Sequence, residues 1–308
     1  MFIFAILLLI GKPRKFEKKY VQMQKTDDEE LIRLCKEKAR GLRSAEPCRG
    51  VNITSYYKKI HAAYKAVCRK EKDKEDITEA ERWLYENFGF VYKRIFESKE
   101  DLNGLPGVDG TPRIVLLSDV ILENSLNCFT PERIQAVMKE IEHELPLEYE
   151  ELIRFGFALR YSIVKYIYVL SQKILFSERC RKIALKNKIY KKYFQYNTYM
   201  YHKIQNYKNN ELYERNGIDE KNVCFSYNES LYTDVLTAKT LFNALRKSDE
   251  LYSYVDGLKN LRSYALLKDV CKLESNSVPT LLNYFKSISD ASKKCRCSEE
   301  YAGKVLLK

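Results

Sequence analysis

Little in this sequence bends or interrupts the chain. Its 308 residues include only 11 Gly and 7 Pro, fewer than average usage supplies, so long regular elements are the expectation. Neither G-x-G-x-x-G nor G-x-x-x-x-G-K occurs, which excludes the familiar glycine cradles for nucleotide phosphates. No C-x-x-C pair is present, and no His stands at ligand spacing from a cysteine. The nine cysteines (Cys35, Cys48, Cys68, Cys128, Cys180, Cys224, Cys271, Cys295 and Cys297) are odd in number and scattered. They read as reduced thiols of a cytosolic environment rather than as a disulfide framework. Cys295 and Cys297 alone supply too few ligands for a metal site. No cofactor, no metal and no catalytic residue is therefore expected.

The residues that are abundant point to helices. Hydrophobic types make up 45% of the chain, enough for a sizeable core, and Leu, Lys, Glu and Ile recur at helical spacing almost throughout. The fold class expected is all-α, an elongated multi-helix bundle. A formal charge of +12 invites an anionic partner, either nucleic acid or an anionic membrane surface. The wealth of Lys, Tyr, Asn, Ile and Phe is also what AT-rich codons produce, and a solvated basic surface is the plainer reading. The chain begins "MFIFAILLLIGKPRKFEKK". A membrane span needs about 20 apolar residues, so this run resembles the second half of a membrane helix whose basic flank stays on the cytoplasmic side; the other reading is a short interfacial or buried segment. Residues 1–15 are accordingly separated as a possible truncated anchor, 16–215 as a helical domain, and 216–308 as a second helical subdomain whose end looks short of a natural boundary.

Local signals place the elements. Acidic residues in "TDDEELIRLCKEKARGL" open a helix from about Asp27 to Arg40, with Gly41 as its exit. A second helix spans Ser55 to Lys72 and carries Tyr57, Ile60, Tyr64 and Val67 on one stripe, with His61 beside it. Thr78 and Glu81 form a capping box. From that start Leu84, Phe88, Val91 and Ile95 make an apolar face, which Trp83 widens beside Asn87 and Phe90, so Trp83 is expected to be largely buried. "NGLPGVDGTPR" reads as a loop, "RIVLLSDVILEN" as a helix by its length and Leu content, and Thr130-Pro131 as a further helix start.

From Leu147 to about Lys188 the pattern is nearly continuous helix. Arg154, Arg160, Lys165 and Lys173 interrupt its apolar sides, and a charge at mid-membrane costs about 2.5 to 3.5 kcal/mol, so this is a core helix. The apolar sides from Leu152 to Phe176 call for a covering partner. The Lys- and Tyr-rich stretch 186–208 carries a nucleic-acid signal, yet Ile189, Tyr193, Tyr196, Met200, Ile204 and Tyr207 repeat at the spacing of a packed seam. Nucleic acid is the second choice of partner. Helices follow around "SLYTDVLTAKTLFNALRK" and from Pro279 to about Ser289.

The order of short words between Ile77 and Ile167 resembles the N-terminal helical region of the cyclic β-1,2-glucan synthase family. A Trp-Leu-x-x-Asn-Phe helix (Trp83, Leu84, Asn87, Phe88) precedes a Pro-Arg pair (Pro112, Arg113). A Pro-Leu-x-x-x-Glu-Leu helix start (Pro146, Leu147, Glu151, Leu152) then leads to a Leu-Arg pair (Leu159, Arg160). The family loop before the Pro-Arg pair is longer than the one found here. The resemblance implies a UDP-glucose-dependent membrane synthase whose glycosyltransferase and phosphorylase-like modules lie after this region. Neither a D-x-D nor a Q-x-x-R-W word occurs in this chain, and no pair of acids stands in a credible catalytic setting. The expectation is a noncatalytic helical accessory module at the cytoplasmic face of a bacterial inner membrane. Its partner would be a downstream glycosyltransferase module or membrane domain. The alternative is a freestanding basic protein that binds nucleic acid through 186–208.

Overall fold

The computed structural model describes residues 23–43, 46–96, 102–186, 235–248 and 278–306. Helices account for 74% of what is described, in agreement with the all-α expectation. The expected anchor at 1–15, the 215/216 boundary and the tyrosine-rich seam at 189–207 lie outside these residues. Among the described residues no helix is long and apolar enough to cross a membrane.

Helix α1 (Asp28–Arg40) starts where Asp27 accepts the Glu30 amide at 2.8 Å, a side-chain cap that satisfies one orphan donor of the first turn. The 3-10 turn Ile53–Tyr56 feeds α2 (Tyr57–Lys72), and α3 runs over Glu79–Phe96. At the head of α3 the expected capping box is present. The Glu81 amide donates to Thr78 Oγ1 at 3.3 Å, and the Thr78 amide donates back to Glu81 Oε2 at 2.8 Å.

The segment read as a loop is a small sheet. Strands β1 (Glu46–Pro47), β2 (Pro106–Val108) and β3 (Thr111–Pro112) pair antiparallel in that order. Between β2 and β3, Asp109 and Gly110 adopt φ of 51° and 75°, the two positive values of the tight turn that matches strand twist. A β-carbon at Gly107 would lie 2.5 Å from the Thr111 carbonyl oxygen and 2.6 Å from Cys48 Sγ, so only glycine lets the three strands close.

Helix α4 (Arg113–Glu123) then leads through Thr130, which caps α5 (Pro131–Glu144), to α6 (Tyr149–Ile153) and the long α7 (Phe155–Lys186). The near-continuous helix expected from Leu147 is thus broken at Arg154, whose ψ of 5° leaves the helical range. Helix α8 (235–247), α9 (Val278–Cys295) and α10 (Glu299–Leu306) complete the described chain.

Helix α7 is the axis of the bundle. It packs against α2, α4, α3 and the 3-10 turn, while α1 closes a second layer against α5 and α4. Phe155, Phe157, Leu159, Ile163, Ile167 and Ile174 are buried along it. The apolar segment that called for an external cover is therefore covered in large part by the chain's own helices, because stripes too widely spaced in sequence to be matched by eye converge on it. Phe242 and Leu245 of α8, with Phe285 and Ile288 of α9, join the same core.

Gly89 is an exception to this economy. It sits inside α3, exposed, with no atom within 4 Å of a β-carbon built there. Glycine in a helix interior costs about 0.5–1 kcal/mol relative to alanine. Gly89→Ala is expected to raise the unfolding free energy by about that amount, read as a higher urea midpoint at constant m.

Candidate functional site

The words of the family resemblance meet in one buried node. Pro112 ends β3 and is the residue before α4, its backbone extended at ψ 133°, so Arg113 opens the helix pointing inward. Arg113 Nε donates to Glu151 Oε1 at 2.7 Å and Nη2 to Glu151 Oε2 at 2.5 Å; Nη2 also donates to the Pro146 carbonyl at 3.1 Å. Arg113 is 7% exposed and Glu151 0%. The same Glu151 carboxylate accepts the Glu148 amide at 2.8 Å and so caps α6. The start of α4 and the turn from Pro146 into α6 are thereby fixed to each other through one ion pair. Leu147 and Leu152 are buried on either side of it, and Leu159 and Arg160 are buried further along on α7.

Further carboxylates crowd this node. The Tyr149 amide donates to Glu299 Oε2 at 2.9 Å, tying α6 to the start of α10, and Glu150 pairs with Arg154 at 2.8 Å and Lys293 at 3.1 Å. Burial pushes the Glu148 carboxyl above the ordinary range, and the charges of Glu151 and Glu299 add to it. Burial likewise raises Glu299, against the hydrogen bond from Tyr149. A carboxyl whose folded pKa is raised binds more protons in the folded state, so its contribution favours the fold at acid pH and is lost as pH rises through the folded pKa. Glu299→Gln keeps an acceptor for Tyr149 while removing one of the crowded charges. The variant is expected to be more stable than the wild type at pH 7, with the difference shrinking towards pH 4, in thermal melts across that range.

The Trp word is partly corrected. Leu84 is fully buried, but Trp83 is only partly buried, stacked on Phe242 of α8 with ring centroids 6.3 Å apart. The buried residue beside it is Asn87, whose Nδ2 donates to the Trp83 carbonyl at 2.8 Å and whose Oδ1 accepts from Arg246 Nη2 at 2.6 Å. Asn87 thus orients α8 against α3, a role that no local signal announces.

Phe88, the last residue of that word, belongs to a different structure. Tyr57, His61, Phe88, Tyr64 and Tyr85 form a column of rings between α2 and α3. Neighbouring planes are inclined by 15°, 19°, 7° and 24° in that order, and Phe88 and Tyr64 lie 3.9 Å apart. Tyr92 and Phe96 set their edges against Tyr57. The stripe Tyr57, Ile60, Tyr64, Val67 is in fact two faces: Ile60 and Val67 enter the core, whereas Tyr57 and Tyr64, about 60° round the helix, remain partly exposed.

On the thiols and metals, Cys35 is buried and its pKa is pushed up to about 12 by that burial, which keeps it protonated and unreactive. Cys295 is exposed and Cys297 partly so. Among the described residues no group of three or more His, Cys, Asp or Glu side chains is arranged to hold a metal ion. No family model matches this chain, and no curated protein matches it.

Proposed function

We propose that the chain is a noncatalytic helical accessory module of a cyclic β-1,2-glucan synthase-like protein, packing against or positioning a glycosyltransferase. In this reading it sits at the cytoplasmic face of a bacterial membrane, with the apolar start and the basic cluster Lys12, Arg14 and Lys15 as its tether. The observation that carries the reading is the use made of Arg113 and Glu151. Both are buried, and they are joined by two hydrogen bonds, with a third from Arg113 to the Pro146 carbonyl. Polar groups committed in this way are removed from any substrate and act as a joint between helices. Asn87 is committed in the same manner between α3 and α8. Charged and amide groups at the resemblance positions therefore support a scaffold role.

The test incubates purified chain with UDP-glucose, a divalent metal and membranes, and then repeats the reaction with the transferase module of a related synthase supplied in trans. The expected result is no glucan from the chain alone and co-purification with the transferase module. Glucan made by the chain alone overturns the noncatalytic reading. Failure to co-purify removes its proposed role.

A further inference from the structure

We propose that the solvent edge of the ring column between α2 and α3, with the basic stripe beside it, binds single-stranded nucleic acid. Three rings of α3 lie on one helical stripe and are open to solvent: Tyr85 is 38%, Tyr92 47% and Phe96 46% exposed. Gly89 stands between Tyr85 and Tyr92 on that stripe and leaves open space there. A residue that weakens the helix thus gives access to its aromatic face. The rings behind the stripe stack on one another nearly parallel, which covers their own faces but braces the exposed rings, Tyr85 against Tyr64 and Tyr92 and Phe96 against Tyr57, as surfaces held in place before a ligand arrives. A flat base gains from such surfaces whatever its identity.

Charge selects the partner. Helix α2 carries Lys58, Lys59, Lys65, Arg69, Lys70 and Lys72 against the single carboxylate Glu71. Lys70 is buried with Glu81, but Lys58, Lys65 and Arg69 are exposed and make no ion pair among the described residues. At 3.6 residues per turn these three fall on the face next to that of Tyr57, His61 and Tyr64, on the side away from Ile60 and Val67. Cations in a row beside exposed rings are the combination that tracks a phosphate backbone while its bases stack. An anionic membrane would also be drawn to the cations, but an interfacial helix buries a continuous apolar face. The large exposed hydrophobics of α2 and α3 are three separate rings, Tyr85, Tyr92 and Phe96, two of which carry a hydroxyl. Duplex DNA offers its phosphates but keeps its bases from the rings. The surface uses none of the buried node, and it stands or falls separately from the accessory-module reading.

The experiment titrates the full chain into a fluorescein-labelled oligothymidylate of about 20 nucleotides, a duplex of equal length, and phosphatidylserine vesicles. Single-strand binding is expected at about 50 mM salt, weakening roughly twentyfold by about 200 mM if three cations contact phosphate. Lys58→Glu/Lys65→Glu/Arg69→Glu should abolish it. Tyr85→Ala/Tyr92→Ala/Phe96→Ala should weaken single-strand binding about tenfold or more and leave duplex binding within about twofold. Circular dichroism verifies the fold of each variant, and Tyr85→Ala alone, with an expected loss of about fivefold, serves if the triple variant does not fold. Single-strand affinity unchanged by the ring variants, or vesicles bound in preference to the oligonucleotide, overturns the proposal, as does an absence of binding at the lower salt.

Discussion

Arg113→Met is expected to lower the unfolding free energy by about 3–5 kcal/mol, because it leaves the fully buried Glu151 carboxylate without its cation. The Pro146 carbonyl loses its donor in the same step. Adding Glu151→Leu should restore most of the loss, since two apolar side chains replace two charges in a site that excludes water. Recovery should stop about 1 kcal/mol short: Glu151 also accepts the Glu148 amide, and that cap at the head of α6 cannot be rebuilt by leucine. Arg113→Lys should not rescue, for an ammonium cannot span both carboxylate oxygens and the carbonyl. Urea unfolding of the wild type, Arg113→Met, Glu151→Leu and the double variant gives the cycle. A single-variant cost under about 1 kcal/mol would show that the pair is not a joint of the fold.

The second large effect lies at the head of α3. Glu81 serves two partners at once: Oε1 accepts from Lys70 Nζ at 2.6 Å, and Oε2 accepts the Thr78 amide at 2.8 Å. Its exposure is 2% and that of Lys70 is 6%. Glu81→Ala therefore takes a carboxylate from a buried ammonium and opens the capping box together, for an expected loss of about 2–5 kcal/mol. Thr78→Ala touches the cap alone and should cost about 0.5–2 kcal/mol. Equal costs for the two variants would mean that the Lys70 pair adds nothing, and would refute the assignment.

Much of this fold was legible because its signals are local. Asp27, Thr78 with Glu81, and Thr130 each announce a helix start within four residues, and each is found capping. The Asp109-Gly110 turn was equally local, yet among so many glycines and prolines the stretch read as a loop; the two-residue spacing between Val108 and Thr111 was the clue to a hairpin. Other features have no local signature. The break at Arg154 falls where no proline or glycine precedes it. Helical spacing does not separate Glu148, Glu150 and Glu151; the resemblance words single out Glu151, and only the fold decides that it meets Arg113, 38 residues away. Trp83 was expected deeper than it lies, since its neighbour Phe242 comes from a helix whose approach no spacing in α3 predicts. The ring column was hidden in the same way. Its members looked like core positions until the partition of α2 into two adjacent faces was set by α3 and α7.

The central position of α7 fixes when this chain can fold during its own synthesis. Helices α2, α3 and α4 all precede it, and each turns apolar residues towards it: Ile60, Val91 and Leu117 are fully buried. Until residues to about Ile174 have been made, those surfaces face water or one another without their common partner. A nascent chain ending near Leu145 thus holds sticky, half-satisfied helices, the condition in which collapsed intermediates aggregate or recruit chaperones. Stalled-chain experiments should find protease resistance appearing abruptly with the emergence of α7 rather than helix by helix.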